Sequence, residues 1–377
     1  MKLVYRIVLL ILIVSYVAHA AVTTSLANST QKPTPTTKLN NEIKASAKPQ
    51  PTSPKTTPEK KAIEQKIVLA FAGDILLDGS VKQAIKQKGV DYPFIHVKKS
   101  ITSADFAVAN LENPITYRTK KDTIQLYNFK ADHNSIYGVK NAGFDLVSLA
   151  NNHALDYFEG GLLDTIGYLN KAKMPYIGAG RNSSEAFKSH TIVVKGKKIK
   201  FLAFSRFLPS SRWHATNKKP GVASAYNMKY VYETIKKEKV QSDILIVYMH
   251  WGKEKSSMPL DFQRPQSKAM IDAGADAIVS SHPHVLQGFE LYKGKPIAYS
   301  IGNFLFPDYV KGPSAQTGIY KLTIDNKNNI TASFEPFIIK GNQIIPISQK
   351  EKEGIWNYLK KISFRANINN NGIISGY

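Results

Sequence analysis

The sequence predicts an α/β fold in which a largely parallel or mixed β-sheet is covered by helices on both faces. From Lys66 onward, short apolar runs alternate with segments of helical periodicity, a pattern typical of this class. The run ILIVYM at 244–249 is apolar throughout, as expected for a central strand buried on both faces. Near the C-terminus, two β-like runs flank residues 325–329, which predicts an antiparallel hairpin.

Local patterns predict the individual elements in turn. The predicted strands are Ile67–Ala72, Asp105–Ala109, Asp145–Ala150, Ile244–Met249, Ala277–Val279 and Pro296–Ile301, followed by the hairpin Ile319–Ile324 and Thr331–Ile338. The predicted helices are Val81–Lys88, Leu162–Lys171, Gln266–Ala273 and Glu351–Lys361. Helical spacing of apolar residues supports them, and Gly274 suits a C-cap. We expect one main domain over residues 66–348, then a helix and a loose tail over 349–377.

The first residues have the layout of an export signal. Lys2 and Arg6 precede an apolar run, Ile7–Val17, and Ala18-His19-Ala20 follows as a cleavage site. Residues 1–22 are therefore a signal peptide or, alternatively, an uncleaved membrane anchor. Residues 23–65 are rich in Thr, Pro and Lys, which predicts a disordered tether. Both alternatives place the domain outside the cytoplasm, at the cell surface, either anchored to the membrane or secreted.

The composition of the chain limits the kinds of catalysis and the classes of partner that it suits. The chain has no cysteine, which excludes thiol catalysis and thiolate metal sites. Its formal net charge is +23. That charge fits either a soluble basic surface or attraction to an anionic polymer such as polyglutamate or a wall polymer. We expect no nucleic-acid partner, because the chain is exported and carries no binding motif.

Ionisable residues follow the carboxyl ends of the predicted strands. These residues are Asp74, Glu112, His153, His250, His282 and His284. Open α/β sheets bind ligands at that edge, because strand ends and helix starts converge there. We therefore expect these side chains to share one rim of the sheet.

Carboxylates, an amide and imidazoles are suitable ligands for Zn²⁺, Mn²⁺ or iron. His282 and His284 are two residues apart, so in an extended segment both would project to the same side. Each residue also has a structural explanation: His250 as a hydrogen-bonded core histidine, Asp74 as a helix cap, and Asn152 as part of a turn. The joint pattern favours a metal site, because those explanations would have to coincide at successive strand ends.

Seven motifs resemble, in order and spacing, the CapA family of poly-γ-glutamate capsule proteins. They are FAGDILLDGSV (71–81), ADFAVANLENPIT (104–116), NFKAD (128–132), GFDLVSLANNHALDY (143–157), YIGAG (176–180), YMHWGKE (248–254) and DAGADAIVSSHPHVLQGFELYKGKPIAYSIGNFLF (272–306). That family is related to calcineurin-like metallophosphoesterases. The resemblance implies a four-layer α/β/β/α sandwich, with two facing mixed sheets between helices, and a site for one or two divalent ions.

The resemblance also implies roles for individual residues. The implied metal ligands are Asp74, Glu112 as the bridging carboxylate, Asn152, His250, His282 and His284. His153 is the implied acid, oriented by Asp156. Leu76 stands where the superfamily has a histidine, and Ser281 stands where many CapA sequences have another. We expect one metal position to be weakened by these departures.

Three functions are consistent with these features. The first is a capsule-assembly factor that acts outside the cell with membrane-bound capsule synthase subunits on poly-γ-glutamate. The second is a secreted metal-dependent phosphoesterase acting on nucleotides or wall phosphates, unrelated to capsule. The third is a polyanion-binding domain that kept the fold without the chemistry.

Overall fold

The computed structural model of the protein describes residues 65–376. The predicted signal peptide or anchor and nearly all of the predicted tether lie outside the described residues. Within residues 65–376, no helix combines the length and the apolar character needed to cross a membrane.

Strands and helices alternate through the first two thirds of the described chain, and strands dominate afterwards. The strands are β1 (Ile67–Ile75), β2 (Phe106–Leu111), β3 (Leu146–Ser148), β4 (Tyr176–Ile177), β5 (Ala179–Gly180), β6 (His190–Val194), β7 (Lys197–Ser205), β8 (Gly221–Val222), β9 (Ile244–His250), β10 (Ala277–Ser281), β11 (Phe289–Tyr292), β12 (Lys295–Ala298), β13 (Asn303–Leu305), β14 (Gln316–Ile324), β15 (Ile330–Lys340), β16 (Gln343–Pro346), β17 (Ala366–Ile368) and β18 (Ile373–Gly376). The helices are α1 (Gly79–Lys88), α2 (Lys98–Thr102), α3 (Ser135–Asn141), α4 (Phe158–Ala172), α5 (Ser183–Ala186), α6 (Met228–Lys239), α7 (Gln263–Asp272) and α8 (Gln349–Lys361).

The strands form two large mixed sheets and one small ribbon. The ten-stranded sheet has the order β17-β18-β15-β14-β1-β2-β3-β4, with β13 on β1 and β16 on β15. The six-stranded sheet has the order β11-β12-β10-β9-β7-β6, and β5 pairs with β8. Strands β1 to β4 run parallel, whereas β14 and β15 are antiparallel. The predicted mixed sheet and the predicted β14–β15 hairpin are therefore confirmed.

The two large sheets face each other across the main core. The ring of Phe71 on β1 lies 6.4 Å from that of Phe201 on β7, and Tyr248 on β9 donates a hydrogen bond to the Ala72 carbonyl. Helices α1, α3 and α4 belong to the same apolar cluster, while α6 and α7 cover the outer face of the six-stranded sheet. This arrangement confirms the expected four-layer α/β/β/α sandwich. The main cluster draws on residues from Ile67 to Ile374, so the described part of the chain contains a hydrophobic core of its own, as a unit that folds independently requires.

The chain crosses from one sheet to the other beside the predicted site. The predicted single strand 296–301 instead ends at Ala298 in the six-stranded sheet, and β13 begins at Asn303 in the ten-stranded sheet. Gly302 supplies the positive φ of 69° at this crossing. A Cβ atom on Gly73 would lie 1.8 Å from the Gly302 carbonyl oxygen, so the two backbones touch at this point.

The C-terminal segment differs from the expected loose tail. Helix α8 begins with a capping box between Ser348 and Glu351, and the chain after it forms β17 and β18, which pair with each other and with β15. Ala366 and Ile368 are buried, and Trp356 of α8 donates a hydrogen bond to the Phe334 carbonyl of β15. The segment is ordered because β15 offers an edge to pair with, which a polar, asparagine-rich sequence does not reveal.

Candidate metal centre

The strand ends bring the predicted ligands to one place. Asp74 lies near the end of β1, Glu112 directly follows β2, and His250 is the last residue of β9. In the sheet register Asp74 pairs with Asn110 of β2, and Ser281 of β10 pairs with His250. All three predicted ligands are fully buried. The convergence of parallel strand ends therefore produces a single interior cluster.

The donor atoms form two groups that share one residue. Asp74, Glu112 and His250 offer ligand atoms within 4.8 Å of one another, and so do Glu112, His282 and His284. His250 Nε2 lies 3.7 Å and His284 Nε2 3.8 Å from the same oxygen, Glu112 Oε1. Ligands about 2.0–2.2 Å from one cation lie within roughly 4.4 Å of each other. The separations of 3.7 and 3.8 Å satisfy this limit, so these residues could hold one or two divalent ions, with Glu112 common to both donor groups.

The His-Pro-His segment reaches the centre by a different route from the one expected. The segment is a turn and not an extended strand, because φ is 104° at His282 and 58° at His284. Both values are uncommon for residues other than glycine. The two rings still lie together, with centroids 5.9 Å apart. His282 Nδ1 lies 3.1 Å from His250 Nε2. The turn, and not the period of a strand, aims both imidazoles inward.

The electrostatics of the metal-free centre favour uncharged side chains. Burial raises the pKa of Asp74, and burial together with the charges of Asp74 and Glu254 raises that of Glu112 well above its usual range. Burial, and then the neighbouring histidines, lowers the pKa of His250 and His282 well below the ordinary value. A bound cation stabilises ionised carboxylates and requires neutral imidazoles. The lowered pKa of His250 and of His282 thus favours the neutral form, which is the form that binds metal.

Unpartnered buried atoms provide an independent indication of a cation. Neither oxygen of Glu112 accepts a hydrogen bond, and Nε2 of His282 has no hydrogen-bond partner among the described residues. Buried polar atoms are nearly always satisfied, and each exception needs an explanation. These three atoms belong to residues of the two donor groups. The residues present therefore fit a divalent metal.

The remaining predicted residues lie against this cluster. Asn152 Oδ1 is 2.7 Å from His250 Nε2, and His153 Nδ1 is 2.9 Å from Asp156 Oδ2. Asp156 is fully buried and accepts two further hydrogen bonds, from the Phe129 amide and from Gln125 Nε2. The carboxylate that orients the His153 ring is therefore itself fixed by two further hydrogen bonds.

Several residues of the site were not assigned by sequence analysis. Asn110 donates a hydrogen bond of 2.8 Å to Asp74 Oδ1, and Asn303 Oδ1 lies 2.8 Å from His284 Nδ1. Asn110 lies near the carboxyl end of β2, so the rule that found the histidines also covers it, whereas Asn303 is the first residue of β13. Gln125 lies in a long connection without periodicity, and no sequence signal marks it.

Aromatic rings enclose the imidazoles. Ring centroids are 4.8 Å apart for Phe129 and His153, 4.2 Å for Phe207 and His282, and 5.0 Å for Phe306 and His284. Leu76, at the position of the missing histidine, is fully buried in an apolar cluster with Phe306 and Phe129. A Leu76→His variant would thus place an imidazole among apolar side chains, and it is a poor way to rebuild a ligand.

The fold and the donor set together define a class of protein: an α/β sandwich with a candidate metal centre at the strand ends. The chain belongs to the family of bacterial capsule synthesis proteins, PGA_cap, whose sequence profile matches residues 68–308. The resemblance seen in the motifs is thereby confirmed.

The chain is also similar to proteins named for capsule biosynthesis. The chain is 34% identical over 255 residues to the capsule biosynthesis protein CapA of Bacillus anthracis, covering 66% of this chain and 62% of that protein. It is 36% identical over 253 residues to the PGA biosynthesis protein CapA of Bacillus subtilis, covering 66% of each. The match therefore spans just under two thirds of both relatives. Among solved structures, the chain is similar to the NAD nucleotidase NadN of Haemophilus influenzae, with a TM-score of 0.45 and 12% identity, over 80% of this chain and 64% of that one.

Proposed function

We propose that this chain acts outside the cytoplasm in the synthesis or export of a poly-γ-glutamate capsule, through a metal-dependent hydrolytic site. Family membership and the similarity to two CapA proteins named for capsule and PGA biosynthesis support the capsule assignment. The observation that carries the hydrolytic part is Glu112, buried between two donor groups with both oxygens unpartnered. The proposed partners are the anionic polymer and membrane-bound synthase subunits.

In this proposal, Asp74, Glu112 and His250 would hold one divalent ion, and Glu112, His282 and His284 would hold a second. We propose Mn²⁺, Zn²⁺ or iron, because the donors are oxygen and nitrogen only. Asn152, beside His250, completes the first group. A divalent ion supplies Lewis acidity when bound there.

Residues of the protein would deliver the proton to the leaving oxygen. Asp156 engages His153 Nδ1 at 2.9 Å, which leaves Nε2 as the nitrogen that can deliver a proton to a leaving oxygen. The hydrogen bonds from Gln125 and the Phe129 amide keep Asp156 in place. The rings of Phe129, Phe207 and Phe306 limit the water around the imidazoles.

The first test separates metal binding from capsule formation. Purified residues 63–377 are dialysed against each metal, analysed for bound ions and assayed on phosphodiesters and on poly-γ-glutamate. We expect a divalent metal in the wild type and its loss in Asp74→Asn with His282→Ala. A wild-type protein that binds no metal contradicts the hydrolytic proposal.

The second test uses a capsulated host from which the gene is deleted. We expect capsule staining to disappear, to return with the wild-type gene and to stay absent with the metal-site variant. Unchanged capsule after deletion contradicts the capsule role. Capsule restored by the metal-site variant would instead support a non-catalytic polyanion-binding protein, whose binding to poly-γ-glutamate is salt-sensitive and unaffected by His250→Ala.

A further inference from the structure

A surface loop beside the centre exposes an unusual number of apolar side chains. Residues 117–130, here called the rim loop, connect the β2 region to α3. Ile124 is 51% exposed, Leu126 86% and Tyr127 65%. Large apolar side chains scattered singly on a surface need no explanation, but three within four residues form a patch.

The structure holds these side chains outward. Gln125, between Ile124 and Leu126, points inward and donates hydrogen bonds to Asp156 Oδ1 and to the Asn152 carbonyl, each at 2.6 Å. Asp122 is buried and accepts a hydrogen bond from Trp213 Nε1 at 3.1 Å. The Phe129 amide donates a hydrogen bond to Asp156 after the patch, so the loop is anchored on both sides and its exposure does not result from a frayed segment.

Basic residues flank the apolar tip of the rim loop. Lys120 and Lys121 are exposed. The ammonium group of Lys120 lies 5.6 Å from the centre of the Phe158 ring, and among residues 65–376 no carboxylate pairs with either lysine. Lys130 follows on the other side, and its ammonium group lies 4.9 Å from the Tyr157 ring. Apolar side chains next to unpaired lysines, with a tyrosine at the boundary, are the composition that binds the interface of anionic membranes.

We propose that the rim loop docks on an anionic lipid bilayer, with Ile124, Leu126 and Tyr127 entering the headgroup region and Lys120 and Lys121 contacting lipid phosphates. A hydrated polyanion would engage the lysines but would leave the aliphatic side chains in water, so the aliphatic side chains favour a bilayer. The proposal goes beyond the capsule assignment and does not depend on what the centre hydrolyses.

The rim loop also contacts the candidate metal centre. The same loop that exposes Leu126 holds Asp156 through Gln125 and the Phe129 amide. Docking would therefore place the His153–Asp156 pair near the membrane surface. A substrate emerging from a membrane-bound enzyme would meet the centre at that point.

The absence of cysteine allows a site-specific test. Leu126→Cys carries an environment-sensitive fluorophore, and Val240→Cys, at a position 88% exposed at the end of α6, is the matched control. Residues 63–377 are mixed with vesicles of phosphatidylglycerol and phosphatidylcholine in equal parts, or of phosphatidylcholine alone. We expect a blue shift at position 126 with the anionic vesicles and none at position 240.

Unlabelled variants give the second measurement. In vesicle sedimentation, Leu126→Ser should weaken binding by about tenfold or more, and Val240→Ser should have no effect. Lys120→Gln with Lys121→Gln should weaken binding to anionic vesicles by roughly thirtyfold. Equal responses at positions 126 and 240, or none at 126, overturn the proposal. The proposal is also overturned if the fluorophore at position 126 shows no shift with vesicles and responds only to poly-γ-glutamate or to a protein partner.

Discussion

Replacement of Glu112 by glutamine should stabilise the metal-free protein and weaken its binding of metal. Glu112 is fully buried, and both carboxylate oxygens lack a hydrogen-bond donor. Leaving a buried polar group unsatisfied costs about 1–3 kcal/mol. In metal-free protein, Glu112→Gln replaces a carboxyl group whose ionised form is disfavoured by burial with a neutral amide that can donate to Asp74 or to an imidazole. We therefore expect the metal-free variant to be more stable than the wild type by about 1–3 kcal/mol.

The opposite change is expected when metal is present. Glu112 is the residue that both donor groups share, so its loss weakens both positions. The wild type should gain stability with metal, because an ion that binds only the folded state stabilises it by mass action. The variant should gain little. The order of stability thus reverses between metal-free and metal-loaded protein.

Thermal unfolding followed by circular dichroism measures both effects. We expect the metal-free variant to melt about 2–5 °C above the wild type, and elemental analysis to find less metal in the loaded variant. Glu233→Gln is the control, because it removes an exposed carboxylate on α6 that belongs to neither donor group. A metal-free Glu112→Gln protein that melts below the wild type, or that retains all of the metal, refutes this reasoning.

Three further predictions concern other parts of the molecule. His282→Ala should reduce bound metal without abolishing it, because the group containing His250 does not include His282; complete loss in elemental analysis would show that the two groups do not bind separately. Glu290 is buried, and burial alone would raise its pKa, but hydrogen bonds from Arg264, Tyr299 and Lys268 together lower the pKa below its usual value. Ionised Glu290 therefore stabilises the folded protein above its unfolded pKa near 4.5. This stabilisation disappears as pH falls through the lower pKa of the folded state. Glu290→Gln should cost about 2 kcal/mol at pH 7 in urea unfolding, and an equal cost well below pH 4.5 would contradict this. Ser348→Ala should cost about 1 kcal/mol by removing the α8 cap, and Ser348→Asp should restore most of it.

Much of the fold follows from sequence periodicity, and the failures have physical causes. Apolar runs such as 244–249 mark buried strands, because burial on both faces leaves no polar position. The predicted strand 296–301 is divided because the chain changes sheets at Gly302, an event that hydropathy does not record. The tail after α8 forms β17 and β18 because β18 pairs with β15. Pairing with a strand that is distant in sequence leaves no local pattern in the tail.

The candidate site shows the same division. Asp74, Glu112 and His250 were found because parallel strands end on one rim. The turn at His282 and His284 was not foreseen, because positive φ at non-glycine residues is imposed by the surrounding structure. Gln125 was missed because its partner, Asp156, is 31 residues away.

The sequence by itself determined the alternation of strands and helices, the family, and which ionisable side chains stand at strand ends, because each of these depends on residues close together along the chain. Only the tertiary structure decided that Glu112 lies between two donor groups, that an apolar cluster surrounds Leu76, and that a basic apolar loop lies beside the His153–Asp156 pair. Those arrangements depend on contacts between distant segments and on removal of side chains from water, which exist only when the two sheets have packed together.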